Sequence, residues 1–292
     1  MRPGQKHRAL SRIAVPFGLL LESTIQVLPS DGGDQPIIFI IGPPRSGTSI
    51  CFQTLAHGLD VHFPNHLCAF FRSAPMFGLR LAEWFGQGRP HRAFGSVHGF
   101  STGDGFRGPN EWEQFFRQKI FFPWRDDIED EAGMRALLKL NGFVQSRFRK
   151  PFLAKPLNAV LYMDKLAETL PHLKFVAVER DLDATVASII RAKRVEGKTP
   201  EQFFYVLPPE LEANRYTHEE EQVADQIRAI RRRVDEAETR WGEQRIRRVS
   251  YSDLCRDPRS LVREIAKWVG PNLHERPGSH LPEAWIEKNP AS

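Results

Sequence analysis

The chain has 292 residues, 41% apolar and 26% charged, with apolar residues spread throughout, which suits one large core and excludes general disorder. Its net charge of +5 favours anionic ligands, but the excess forms no single basic tail and does not indicate nucleic acid. Three cysteines, Cys51, Cys68 and Cys255, lack CxxC spacing, so neither a disulfide framework nor a zinc site is expected and a reducing, cytoplasmic setting fits.

In chain order, Arg2, Lys6, Arg8 and Arg12 precede the apolar run "IAVPFGLLL". That run is too short to span a bilayer, is closed by Glu22 and lacks a cleavage site, so a short surface helix is expected. Residues 1–35 are read as an extension, with peripheral membrane contact left open. "SDGGDQP" is a turn-rich entry to a strand at Ile37 to Ile41, and a glycine loop then leads into a helix over Thr48 to Leu59. The stretch from Phe63 to Trp124 is rich in aromatics without sustained periodicity and reads as a variable, acceptor-facing insertion within a domain spanning 36–275.

Pro151 to Lys155 is a short strand, followed by a helix from Leu157 to Leu170 that Pro171 closes. Leu173 to Asp181 is a longer strand, and Asp183 is the expected cap of the helix after it. Thr217 and Glu220 form a capping box ahead of a long helix with Val223, Ile227, Ile230, Val234 and Trp241 on one face; Arg228 and Arg231 to Arg233 read as its solvated side. Ile246 to Leu254 reads as a strand and Leu261 to Val269 as a helix, leaving 276–292 as a tail. Strands alternating with helices predict an α/β, P-loop-like three-layer fold with a central parallel sheet flanked by helices.

The chemistry concentrates in "GPPRSGTS", Gly42 to Ser49. Two glycines five apart after a strand and before a helix make a cradle of backbone N–H groups for an anion, with hydroxyl donors in Thr48 and Ser49. The lysine of a triphosphate-binding loop is missing, and Arg45 is the cation instead. The later strand ends in Glu179-Arg180-Asp181, which places a second cation for a second anionic group.

These two segments, "GPPRSGTS" and "KFVAVERDLDATVASIIRAKR", resemble the nucleotide-binding signatures of the PAPS-dependent sulfotransferases. The resemblance implies PAPS as donor cosubstrate without a metal, its 5′-phosphosulfate held by Pro44, Arg45, Ser46, Gly47, Thr48 and Ser49 and its 3′-phosphate by Arg180 and Ser188. It extends over Ile37 to Gly270, placing Lys155 beside the transferred sulfonate and Tyr251, in "VSYSDLCRDPRSLVREIAKWVG", among the nucleotide contacts. "GPNEWEQFFR" is similar to a segment of bacterial members and puts Glu111 forward as the base.

Two departures accompany the match. Asn65 and His66 stand where tyrosylprotein sulfotransferases carry a basic glutamate, and the RKG-type motif of cytosolic members is absent. Glu111 is therefore the first candidate for the base, His66 the second, and "SHLP" around His280 is treated as chance. The expected acceptor is a hydroxyl or amine of a small molecule or glycan; Phe70, Phe71, Trp84, Trp112, Phe115, Phe116 and Trp124 suit stacking against it, though an aromatic-rich segment is also what a core looks like. The rival readings are a nucleotide kinase with a degenerate loop and a nucleotide-binding module without catalysis. Oligomeric state is open.

Overall fold

The computed structural model describes residues 35–71, 74–84, 90–92, 94–97, 100–102, 104–121, 131–147, 150–211 and 216–286. The N-terminal basic and apolar stretch and Trp124 lie outside them. The first strand, β1 (Ile37–Ile41), is five apolar residues, all buried, as a strand covered on both faces requires. It is followed by α1 (Thr48–Gly58), α2 (His66–Phe70), α3 (Pro75–Trp84) and a small hairpin of β2 (Gly95–Val97) and β3 (Phe100–Thr102). Next come a helical turn Glu113–Phe115 that widens over Phe116–Phe121, α4 (Glu131–Arg147) and β4 (Phe152–Ala154). A 3₁₀ turn Leu157–Leu161 leads to α5 (Met163–Thr169), β5 (Leu173–Glu179) and α6 (Leu182–Val195). The chain continues through α7 (Glu219–Trp241), β6 (Ile246–Ser250), α8 (Tyr251–Arg256) and α9 (Pro258–Val269).

The central sheet has the order β4-β1-β5-β6 and is parallel throughout. Helices cover both faces, which makes this an α/β fold of the P-loop-like kind. The period of two along each strand divides the core. Phe39, Ile41, Phe175 and Ala177 face a layer containing Trp112, Phe116, Ile230 and Val234. Ile38, Ile40, Val176 and Val178 face α1, α8 and α9 through Phe52, Leu55, Leu254 and Ile265. A third cluster, Ile189, Ile190, Phe204, Val223 and Ile227, joins α6 to α7. β4 and β5 lie on opposite sides of β1, so the chain reverses its direction of sheet growth there, and such a switch point opens a crevice at the carboxyl ends of the strands.

Several boundaries differ from the sequence reading. The helix after β5 is capped by Asp181, whose Oδ1 accepts from Ala184 N at 2.8 Å, rather than by Asp183, because the strand stops at Glu179. The helix expected over Leu157 to Leu170 is split, since the tight 3₁₀ turn carries the chain around Glu113 before α5 begins. The strand expected to reach Leu254 ends at Ser250, whose side chain caps α8 by accepting from Asp253 N. α7 begins after His218 without a side-chain cap, so the Thr217–Glu220 box does not form. The stretch from Phe63 is largely helical among its described residues, and Trp112, Phe115 and Phe116 are buried. Trp112 stacks on Phe115 at 4.1 Å and Phe116 meets Phe39 edge-on at 5.6 Å, so these rings build the core instead of an acceptor platform.

Candidate active site

Each strand of the central sheet delivers a residue to the crevice at its carboxyl end. The loop 42–47 follows β1, Lys155 follows β4, Arg180 follows β5 and Tyr251 follows β6. Gly47, at φ 100°, turns the loop into α1, and a Cβ there would lie 2.2 Å from a ring carbon of Tyr251. Arg45 also takes a left-handed conformation, at φ 66°. α1 starts with no side-chain cap, which leaves its first N–H groups directed at the crevice. Ser46 Oγ is buried and finds no hydrogen-bond partner among the described residues. An uncapped helix start, an orphaned hydroxyl and a cation beside them are what an anionic group would complete, so the loop fits a phosphosulfate.

The second motif closes onto this loop. Arg45 Nε donates to Ser188 Oγ at 3.4 Å, and Arg180 Nη1 donates to Arg45 O at 3.2 Å. The Arg180 guanidinium lies 4.6 Å from the Tyr251 ring centroid, so one aromatic ring backs both Gly47 and the second cation. Arg231 of α7 donates to Arg180 O. Read from sequence as part of a solvated face, Arg231 is half-buried and holds the Arg180 main chain, because the three-layer packing brings α7 against the start of α6.

The acceptor side is built around Glu111. Asn110 anchors the turn before it: its N donates to Pro64 O at 2.9 Å and its Oδ1 accepts from Trp112 N at 2.8 Å. Trp112, at φ 54°, completes the reversal. Glu111 Oε1 then accepts from Ser49 Oγ and Oε2 from Lys155 Nζ, both at 2.5 Å. His66 opens α2 nearby, with its Nδ1 3.1 Å from Asn110 Nδ2. The two candidate bases therefore flank Asn110, but Glu111 is the one joined to the loop and to Lys155.

Two residues coupled electrostatically to the site were missed by sequence reasoning. Glu113 is half-buried and accepts from Leu157 N at 3.3 Å and Asn158 Nδ2 at 3.1 Å. Burial raises its pKa most, Glu111 adds to the rise and Lys155 opposes it. No sequence signal marked its role, because nothing local shows that the 3₁₀ turn after β4 returns to it. The other is Tyr205, whose hydroxyl donates to Glu196 Oε1 at 2.9 Å. Its phenol is pushed up to about 12 by burial, then by Glu196 and Glu111, against the pull of Arg45. The signal available was a solitary tyrosine between Phe204 and Val206, with no motif around it.

Fold and site together define an α/β protein of the P-loop-like kind whose glycine loop carries arginine in place of lysine. The sulfotransferase family model matches residues 36–275, and the chain belongs to that family; its class is therefore that of transferases acting on sulfonate groups. In fold it is similar to the sulfotransferase STF9 of Mycobacterium avium, at TM-score 0.55 and 16% identity over 86% of this chain and 68% of that one. It is also similar to the sulfotransferase STF1 of Mycobacterium tuberculosis, at TM-score 0.50 and 16% identity over 89% of this chain and 72% of that one. No curated protein sequence matches the chain. Among the described residues no helix is long and apolar enough to cross a membrane.

Proposed function

We propose that the protein transfers a sulfonate group from PAPS to a hydroxyl or amine of a small molecule or glycan and releases 3′,5′-ADP. The observation that carries this reading is Glu111, which takes one hydrogen bond from the anion loop through Ser49 and another from Lys155. It couples a proton acceptor to the two groups best placed to neutralise a departing phosphate.

The donor supplies an activated sulfur between an acceptor oxygen and a phosphate oxygen. The new acceptor–sulfur bond forms as the sulfur–phosphate oxygen bond breaks, and the acceptor's proton passes to Glu111. Lys155, Arg45 and the N–H groups at the start of α1 stabilise the charge left on the phosphate. Arg180 and Ser188 hold the 3′-phosphate, with Tyr251 and Arg231 keeping Arg180 in place. His66 orients Asn110 and with it the turn that presents Glu111. Glu113 holds the Leu157 turn and so fixes the approach of Lys155.

Calorimetry of 3′,5′-ADP and of ATP with Mg²⁺ tests the donor, and transfer of labelled sulfonate from PAPS to an acceptor panel tests the reaction. Metal-independent binding of 3′,5′-ADP together with transfer is expected. Preference for ATP with Mg²⁺ would replace the reading with that of a kinase, and binding without transfer to any acceptor would leave a nucleotide-binding module.

A further inference from the structure

Asn110 and His66 meet beside the base, and the geometry of their contact decides where the imidazole carries its proton. Asn110 is buried, at 5% exposure, and its Oδ1 accepts from Trp112 N at 2.8 Å. A main-chain N–H can only donate, so the side-chain atom facing it is the oxygen, and the other branch is the amide nitrogen. That nitrogen, Nδ2, lies 3.1 Å from His66 Nδ1. Because an amide nitrogen accepts no hydrogen bond, Nδ1 is the acceptor, and the imidazole is neutral with its proton on Nε2.

The same two residues frame the turn that carries Glu111. Asn110 N donates to Pro64 O at 2.9 Å and His66 N to Gly108 O at 3.1 Å, so main-chain bonds hold 64–66 beside 108–110. Those bonds leave the Asn110 side chain to be set by His66, and Asn110 Oδ1 in turn spans Glu111 to reach Trp112 N. Trp112 is left-handed at φ 54°, a conformation that a bulky residue keeps only where its surroundings impose it. Glu111 therefore stands between an anchored asparagine and a strained tryptophan, and from there its carboxylate reaches Ser49 and Lys155 at 2.5 Å each. Among the described residues, the charged groups on the elements packed against α2 are Asp104 and Arg107 at the 105–107 turn and Arg80 and Glu83 of α3, paired at 3.7 Å. Beyond Asn110 stand Glu111 and Lys155.

We propose that His66 is a positioning residue for the base: neutral, it latches Asn110 and holds the Glu111 turn, and a proton taken from solvent at Nδ1 releases it. Protonation turns the acceptor into a donor, which then faces the Asn110 amide N–H and repels it. The proposal rests on the sulfonate-transfer reading of the same site. Transfer falls off where an imidazole takes up its proton, in the range of about pH 5 to 7, while donor binding at the loop and Arg180 is untouched.

The test follows sulfonate transfer from PAPS, to 2-naphthol and to water, from about pH 5 to 8 in the wild type, His66→Asn and His66→Ala. Thermal unfolding confirms the folded state at each pH, and calorimetry gives 3′,5′-ADP affinity. His66→Asn offers an oxygen in the place of Nδ1 but does not titrate. In His66→Ala kcat is expected to fall about ten- to a hundredfold at every pH, with 3′,5′-ADP affinity unchanged. His66→Asn recovers most of that loss and lacks the acid fall of the wild type. Independently of activity, nitrogen chemical shifts of isotope-labelled histidine, assigned by their absence from His66→Asn, show a bare Nδ1 and a protonated Nε2 at neutral pH. A proton on Nδ1 there would overturn the proposal whatever the activity. So would an acid fall in His66→Asn equal to that of the wild type, or transfer to neither acceptor by a wild type that binds 3′,5′-ADP. A His66→Ala loss confined to 3′,5′-ADP affinity would also overturn it, by placing the imidazole in the donor site. A wild type that does not bind 3′,5′-ADP would overturn the sulfonate-transfer reading, and with it the latch's part in transfer, even with the tautomer as expected.

Discussion

Glu111 Oε2 lies 2.5 Å from Lys155 Nζ, and the two side chains are only 12% and 3% exposed. A buried pair of this kind does more for function than for stability, since desolvation offsets most of the attraction. Glu111→Gln preserves shape while removing the proton acceptor. Its kcat for sulfonate transfer is expected to fall by about 10² to 10⁴, with 3′,5′-ADP affinity little changed. Steady-state kinetics beside calorimetry checks both, and an unchanged kcat would remove Glu111 from the role of base.

Lys155→Ala leaves the charges of Glu111 and Glu113 acting on one another without the cation that offsets both. Stranding one member of a buried pair costs about 3 to 5 kcal/mol, so urea unfolding should show a lowered midpoint in addition to lost transfer. Lys155→Met in combination with Glu111→Gln should recover part of that stability and none of the activity.

Arg180 donates to the loop through Arg45 O and rests on Tyr251. Arg180→Ala should weaken 3′,5′-ADP by roughly ten- to a hundredfold, the 1.5 to 3 kcal/mol of a charge-assisted contact. Arg231→Ala removes only the support of the Arg180 carbonyl, and about two- to tenfold is expected. Calorimetry on both variants orders the two effects, and an Arg231 effect as large as that of Arg180 would make Arg231 a direct ligand.

Gly47→Ala tests the backing of the loop. The added methyl meets the Tyr251 ring at 2.2 Å from a residue already at φ 100°, so both the ring and the turn must shift. Strain of about 1 to 3 kcal/mol is expected, with a lower Tm and loss of the stabilisation that 3′,5′-ADP confers on the wild type. Thermal unfolding with and without 3′,5′-ADP measures both.

A histidine cluster away from the crevice sets an acid limit. His57 Nδ1 lies 2.7 Å from His91 O, His280 N donates to His57 Nε2 at 3.0 Å, and His91 Nε2 lies 2.8 Å from Gln53 O. His57 must then be neutral, with its proton on Nδ1. Burial lowers both pKa values, with Arg276 also acting downward, and His91 falls to about 4 despite Asp104. Because the folded values lie below the unfolded 6.5, the unfolded chain binds more protons in acid. Stability is complete above pH 6.5 and declines as pH falls toward 4, by about 3 kcal/mol for His91 alone. Urea unfolding at pH 7 and pH 5 should show the loss, and His91→Gln should flatten it. The stretch around His280, set aside as chance in sequence, thus fastens the end of the described chain to α1.

How much was legible follows from where each signal resides. Five consecutive apolar residues, a glycine-rich turn and a helix former can be read locally, and β1, the loop and α1 stand within a residue of their expected bounds. The second motif was equally legible, since Arg180 and Ser188 lie on one strand end and one helix. The aromatic stretch stayed ambiguous in sequence because a ring that stacks on a ligand and a ring that fills a core have the same composition, and only packing, as of Phe116 against Phe39, assigns Trp112, Phe115 and Phe116 to the core.

The sequence by itself determined the local elements, the alternation that makes a parallel sheet, and the anion loop with its unusual arginine. Tertiary structure alone decided that Glu111 joins Ser49, 62 residues away, to Lys155, 44 away, and that Arg231 supports Arg180. The reason is the strand order. With β1 between β4 and β5, the carboxyl ends of strands distant in sequence converge on one crevice, and hydrogen bonds across it depend on that convergence rather than on any local preference.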